Sequence, residues 1–510
     1  MAEFDFLASH AESLPNKPAV ILGDRTIDFA SLHRSANRMA NAFKSLGCVD
    51  GDRVASMSFN SIEGFVTANA ARRARMVVVP INYRLRGAEV AYLLNDSGAY
   101  FVIASPDHVD VMLAALPGLK GNRRFIAIGD HVPDGWLSYR ALMDGASEAP
   151  AGTPADALAA SMIYTSGTTG HPKGAWRPKG VDIALVLQTI GVFELSQSGV
   201  HLMCGPGYHS AVGLFAALHQ IMGATVVAQK KFEADEALEE IARHRVTNAF
   251  LAPTLLQRLV DAQQRKPRDV SSLRALILGA APCPHELKVR AEAVFGKVLW
   301  EFYGATETGI NTVLRPEDQL RKPGSCGTAM PGQEIRLVDA DGNEVPDGEP
   351  GELMVRNTAL AEYYNRPDAT GKSLHDGFFS VGDVAYKDTE GYYYICDRRI
   401  DMIISGGVNI YPAEIEAVLH AHPAVMDAAV IGVPDEQWGE SVKAVVELRA
   451  GASATIEMEE ELIAFCAARL ASYKKPRSID IVDELPRDPA GKLLKRKIRE
   501  PYWASAGRLI

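Results

Sequence analysis

The run YTSGTTGHPKGA, Tyr164 to Ala175, sets four Ser/Thr hydroxyls, three glycines and one lysine directly behind the apolar stretch Ser161-Met162-Ile163-Tyr164. Such a loop suits a nucleotide polyphosphate. Gly167, Gly170 and Gly174 let the backbone turn tightly and bring N–H groups close to phosphate oxygens. Thr165, Ser166, Thr168 and Thr169 add hydroxyl donors, and Lys173 adds charge. The run is not a Walker A loop, which needs Gly before its Lys and Ser or Thr after it, whereas Lys173 lies between Pro172 and Gly174.

Four further segments follow in order: YGATET at Tyr303 to Thr308, SVGD at Ser380 to Asp383, DRRIDMIISGGVNIYPAEIE from Asp397 to Glu416, and PRDPAGK ending at Lys492. Taken together with the first run, they resemble the adenylate-forming superfamily, which contains acyl-CoA synthetases, aryl-CoA ligases, beetle luciferases and peptide-synthetase adenylation domains. The resemblance covers essentially the whole chain. It implies that a carboxylate, a poor acyl donor, attacks the α-phosphate of ATP to give an acyl-adenylate with a good leaving group. Positioning and cations then matter more than a nucleophilic side chain.

The resemblance assigns roles motif by motif. Thr165, Ser166, Gly167, Thr168, Thr169, Gly170 and Lys173 would cradle phosphates, Tyr303 with Gly304 would meet adenine, and Thr306 would contact the α-phosphate. Glu307 would hold Mg²⁺, which prefers carboxylate and phosphate oxygens. The small residues Gly279, Ala280 and Ala281 would admit the adenine and the acyl chain. Asp383 would accept the ribose hydroxyls, since a carboxylate can take two donors, and Arg398 would add a donor. Lys492 would bridge the acyl carboxylate and the α-phosphate as charge develops.

Coenzyme A enters through weaker matches. Gly406 and Gly407 would line a pantetheine tunnel, with Trp438 against the CoA nucleotide and Arg84, in NYRL, near a CoA phosphate. His209, in PGYHSAVG, falls where relatives place a gate between acyl site and thiol tunnel. Amino-acid adenylation domains place an Asp there to pair with an ammonium, so His209 argues against an α-amino acid. A fatty, aromatic or alicyclic carboxylate is expected. One departure stands out: the family usually has Lys or Asp two residues after Arg398, at the pivot between two orientations of the small domain, and here Ile400 stands there with Asp401 beside it.

These residues need a scaffold. The 510 residues, 47% hydrophobic, can bury more than one core. Apolar runs at 75–79, 99–104 and 274–278 read as buried strands of mainly parallel sheets, with helical patterns at 31–40 and 236–242 between them. The expectation is a large layered α/β domain over 1–398 and a small mobile α+β domain over 399–510, with Pro412 opening a helix that carries Ile415, Val418 and Leu419. Leu462, Phe465, Cys466 and Leu470 mark a second helix, and 145–157 reads as an exposed connection.

A net charge of −10 with dispersed cations disfavours nucleic acid as a partner. Neither a signal peptide nor a bilayer-spanning run is found, and six scattered cysteines without a CxxC pair fit a reducing cytoplasm. The function expected is an ATP-dependent carboxylate–CoA ligase acting on a small-molecule acid, as a monomer or homodimer. The alternative is a standalone acyl-AMP ligase that loads a carrier protein; the short stretch after Lys492 carries no attached carrier domain.

Overall fold

The computed structural model describes residues 5–152, 160–165, 172–177, 181–398, 401–405, 408–435, 438–487 and 493–504. Strands and helices alternate through the first two thirds of the chain, and the strands collect into two largely parallel sheets. The larger has nine strands. Its parallel centre comprises Leu299–Ala305, Ala275–Leu278, Asn248–Leu251, Val200–Met203, Thr225–Ala228 and Pro18–Leu22. The other, of five parallel strands, is built on Arg53–Met57, Val77–Pro80 and Phe101–Ala104.

Both sheets are covered on their faces, which is why their strands read as continuous apolar runs. Val102 and Ala104 sit in one core while Phe101 and Ile103 sit in another, so the strand Phe101–Ala104 is buried on both sides. The expected strand at 75–79 begins two residues later, because Arg75 takes a positive φ of 53° and turns the chain before Val77. The helix expected at 31–40 runs Phe29–Ser45, opened by the Asp28 carboxylate accepting from the Ser31 N–H at 2.7 Å. The connection after Gly145 is tied down, not free. Asn41 donates to the Ser147 and Ala149 carbonyls at 2.8 and 2.9 Å, and Ala151 is buried.

Two smaller sheets complete the large body, and their strand pairing was not expected from the sequence. An antiparallel sheet pairs Glu334–Val338, Gly351–Arg356, Phe378–Lys387 and Tyr393–Arg398. A three-stranded sheet pairs Met162–Thr165 with Lys173–Trp176 and that strand with Glu362–Tyr363. The C-terminal sheet centres on the long hairpin of Val425–Asp435 and Gly439–Leu448. Ala428 and Val430 face a core with Ile415 and Leu419 of the helix Pro412–His420 and Leu462 and Cys466 of the helix Ile456–Ala467. Leu470 lies beyond that second helix and packs on the same core. Ala429 and Ile431 face Ile498 of the helix Lys495–Ala504, so alternation along one strand joins three helices.

One buried ion pair braces the strand that leads into YGATET. Lys288, on the helix His285–Phe295, pairs with Glu301 on Leu299–Ala305, and both side chains are nearly inaccessible. Lys288→Ala strands the Glu301 carboxylate in the interior, a loss of about 3–5 kcal/mol. A clear fall in thermal midpoint is expected, with most of it restored in Lys288→Met/Glu301→Leu. Equal falls in the single and double variants would show that the pair is not the source.

Candidate functional site

The site is assembled where the three-stranded sheet meets the end of the nine-stranded one. Both flanks of the stretch between Thr165 and Pro172 are anchored by the helix Gly87–Ser97. Tyr164, entering the loop, donates its hydroxyl to Asp96 Oδ2 at 2.8 Å; burial, then that bond to a carboxylate, pushes the phenol far above its ordinary pKa. Tyr92, one turn earlier on the helix, donates to the Pro172 carbonyl at 3.1 Å, where the chain leaves the loop. Ser166, Gly167, Thr168, Thr169 and Gly170 lie outside the described residues. Their flanks, Thr165 and Lys173, are opposed in register.

The turn after Leu299–Ala305 brings Glu307 against this loop. Glu307 is buried, and both of its hydrogen-bond donors among the described residues fall on Oε1: Thr165 Oγ1 at 3.2 Å and Tyr363 Oη at 3.0 Å. Lys173 Nζ stands 5.0 Å from the Tyr363 ring centroid, a cation–π contact. The Ala361 N–H donates to the Glu307 carbonyl at 2.8 Å, tying the strand Glu362–Tyr363 to the turn. Arg177 locks the turn from the other side, donating to the Thr306 and Ala359 carbonyls at 2.7 and 2.5 Å. Burial draws the Arg177 pKa down from its ordinary value, and the Glu307 charge opposes that fall.

Tyr303 and Asp383 meet directly, hydroxyl to Oδ2 at 2.5 Å. Asp383 is buried on the strand Phe378–Lys387 and stands opposite Arg398 in register. Gly304 is required by the hairpin: a Cβ there would collide with the Gly309 carbonyl oxygen. Gly279 lies under aromatic rings, where a Cβ would come within 2.9 Å of Phe302. Ala280 holds a positive φ of 72°, strain in a segment that the sequence reading took to be only small. Ala281 follows it in the same turn.

His209 is the residue before the helix Ser210–Ile221. Its ring is tilted against Tyr208 at 4.5 Å, and Tyr208 meets Tyr83 edge-on at 5.2 Å. Ser210 and Thr306 share a hydroxyl contact of 3.3 Å, which joins the His209 segment to the YGATET turn. Arg84 is exposed, next in the chain to Tyr83, and its N–H donates to Asn82 Oδ1 at 2.9 Å. Trp438 lies in the C-terminal unit, 39% exposed, with the Arg477 guanidinium 5.4 Å from its ring centroid. Gly406, Gly407, Ile400 and Lys492 lie outside the described residues.

Five residues in this geometry were not singled out from sequence: Tyr92, Asp96, Arg177, Ser210 and Tyr363. Tyr92 and Asp96 carried a signal, a polar pair one helical turn apart, yet nothing local says which loop they face. Arg177 follows its strand between Lys173 and Lys179, and only its carbonyl partners distinguish it.

This α/β architecture and site place the chain in the AMP-binding enzyme family, which it matches over residues 7–365, with the family's C-terminal domain over 414–492. A feruloyl-CoA synthase from Amycolatopsis sp is 36% identical, over 96% of this chain and 97% of its own length. A fatty acid--[acyl-carrier-protein] ligase, ScoC, from Streptomyces coeruleorubidus is 33% identical, over 98% of this chain and 96% of that protein. The fold matches the crystal structure of the anthranilate CoA ligase AuaEII in complex with anthranoyl-AMP, with TM-score 0.90, 26% identity and coverage of 100% and 99% of the two chains. No helix among the described residues is long and apolar enough to cross a membrane.

Proposed function

We propose that this chain is an ATP-dependent carboxylate–CoA ligase, forming an acyl-adenylate and passing the acyl group to the thiol of CoA. The observation that carries the reading is the convergence on one buried carboxylate, Glu307, of Thr165 from the phosphate loop and Tyr363, with Lys173 beside it. Tyr303 and Asp383 offer an aromatic face and a carboxylate side by side, the pairing that a nucleoside needs for its base and ribose. In this reading Thr306 meets the α-phosphate, Gly279, Ala280 and Ala281 border the adenine and acyl chain, and Arg398 supports the ribose. Lys492 bridges the two reacting anions. Gly406, Gly407, Trp438 and Arg84 serve CoA, with His209 at the junction.

Glu307 fits Mg²⁺. Its donors occupy Oε1 and leave Oε2 for a hard cation that seeks carboxylate oxygen. When bound, the ion would neutralise charge on the ATP phosphates. Tyr363 is a positioning residue here, because its hydroxyl fixes which oxygen is offered. Tyr363→Phe is expected to weaken Mg²⁺-dependent ATP binding about fivefold, near the ~1 kcal/mol net worth of one typical hydrogen bond. Calorimetry of ATP binding with and without Mg²⁺ reads this; equal weakening in both would assign Tyr363 a general structural role.

The carrier-protein ligase among the relatives favours a second reading, in which the acyl group goes to a carrier thiol. The test is AMP and pyrophosphate release over a panel of carboxylates, with no acceptor, with CoA and with a phosphopantetheinylated carrier. CoA-dependent AMP release supports the ligase. Pyrophosphate release that ignores CoA and responds to the carrier supports the second reading.

A further inference from the structure

Two helices that carry no catalytic residue face each other across a cavity of about 180 Å³. On Ser210–Ile221 the lining residues are Gly213, Ala216, Ala217 and Gln220, spaced as one helical face. On Ile62–Arg73 they include Gly64 and Ala68, one turn apart. The opposite face of the first helix, with Val212 and Phe215, is packed into the core, so the small side chains leave a gap on this side only.

The cavity begins beside the reaction centre. Gly207 and Tyr208, flanking the His209 segment, line it, and Ser210 touches Thr306. From Gly213 to Gln220 the helix rises about 10 Å at 1.5 Å per residue. Asn60 lines the cavity beside Gly207, accepting the Gly207 N–H at 2.8 Å and donating to the Gly205 and Gln229 carbonyls, each at 2.9 Å.

The far end is polar. Gln220 is 5% exposed, and its Oε1 accepts from Asn69 Nδ2 at 3.3 Å, which fixes the amide orientation because Asn69 Nδ2 also donates to the Phe65 carbonyl. Gln220 Nε2 then finds no acceptor among the described residues. A buried amide donor left unmatched costs free energy that a ligand oxygen would recover. The volume is that of a single ring, since an apolar cavity of about 150 Å³ takes up one benzene.

We propose that this cavity is a chamber for the tail of the acyl substrate. It selects a carboxylic acid whose distal part is one ring, or a group of that size, bearing an oxygen acceptor that meets Gln220 Nε2. This assignment rests on the carboxylate-activating reading above and deepens it by naming the substrate class.

The test uses the full chain and acid-dependent ATP–pyrophosphate exchange without CoA. Three probes are compared: 4-methoxyphenylpropanoic acid, phenylpropanoic acid and butyric acid. Ala217→Phe fills the chamber and is expected to lower the ring-to-butyrate ratio of kcat/KM at least tenfold. Gln220→Leu should erase the preference for the methoxy acid over its unsubstituted partner. Should Ala217→Phe fail to fold, Ala68→Val narrows the chamber from the other helix. Equal losses on all three acids would overturn the proposal, as would variants that change only the KM for CoA in the complete reaction, which would make the cavity part of the thiol route. Calorimetry separates the two claims: Gln220-dependent binding of the methoxy acid without exchange upholds the chamber and overturns the ligase reading.

Discussion

Lys492→Ala is expected to lower acid-dependent ATP–pyrophosphate exchange by about 10³-fold while largely sparing thioester formation from supplied acyl-AMP. In the proposed chemistry two anions approach at the α-phosphorus. A cation between them is worth most as charge builds on the pentavalent centre, in a site closed to water, and nothing once the adenylate exists. Lys492 itself lies outside the described residues, but the chain on either side of it is held. Arg487 and Leu493 form an antiparallel bridge, and the Leu494 N–H donates to the Pro486 carbonyl at 2.8 Å. Arg487 pairs with Asp427, and Lys495 with Glu416 at 2.9 Å. The two half-reactions are measured separately, and equal loss in both would remove Lys492 from the adenylation step.

Glu307→Gln is the second large effect, an expected fall of about 10²–10³-fold in the same exchange. The glutamine oxygen can still accept from Thr165 and Tyr363, so the replacement takes away charge and leaves shape. ATP binding should lose its dependence on Mg²⁺, and thermal stability should fall modestly, because the Arg177 guanidinium loses the charge that opposes its burial. A Glu307→Gln protein whose ATP affinity still rises with Mg²⁺ as in the parent would place the ion elsewhere. Set beside the fivefold change for Tyr363→Phe, the contrast separates ligating the ion from holding the ligand still.

Most of the candidate site was legible because its chemistry is local in the chain. Tyr303, Gly304, Thr306 and Glu307 lie within one hairpin turn, and Thr165 and Lys173 on neighbouring strands around one loop. What escaped was partnership over long separations. Tyr363 reaches Glu307 across 56 positions, and Arg177 reaches the Thr306 carbonyl across 129. A tyrosine in a two-residue strand or an arginine after a strand looks like many surface residues until burial and a partner are known. The strained Ala280 was invisible for another reason: alanine carries no sign of a positive φ, as glycine would.

The parallel sheets were readable too, since strands buried on both faces must be apolar throughout. The antiparallel sheet of Glu334–Val338 and Gly351–Arg356 was not, because one-sided burial leaves short mixed patterns such as EIRLV.

By itself the amino-acid order determined the family, the kinds of side chain offered to a nucleotide and a carboxylate, and the alternation of strands and helices that carries them. These follow from short-range patterns, in which residue type and spacing impose backbone geometry or charge. Tertiary structure alone decided which oxygen of Glu307 its neighbours hold, which helix anchors the flanks Thr165 and Pro172, and that small residues on two helices far apart in the chain leave a ring-sized space lined by Gln220. Space and partnership are properties of packing. Gly64 reads as an unremarkable helix residue until the fold sets it against the cavity that Gly213 also lines.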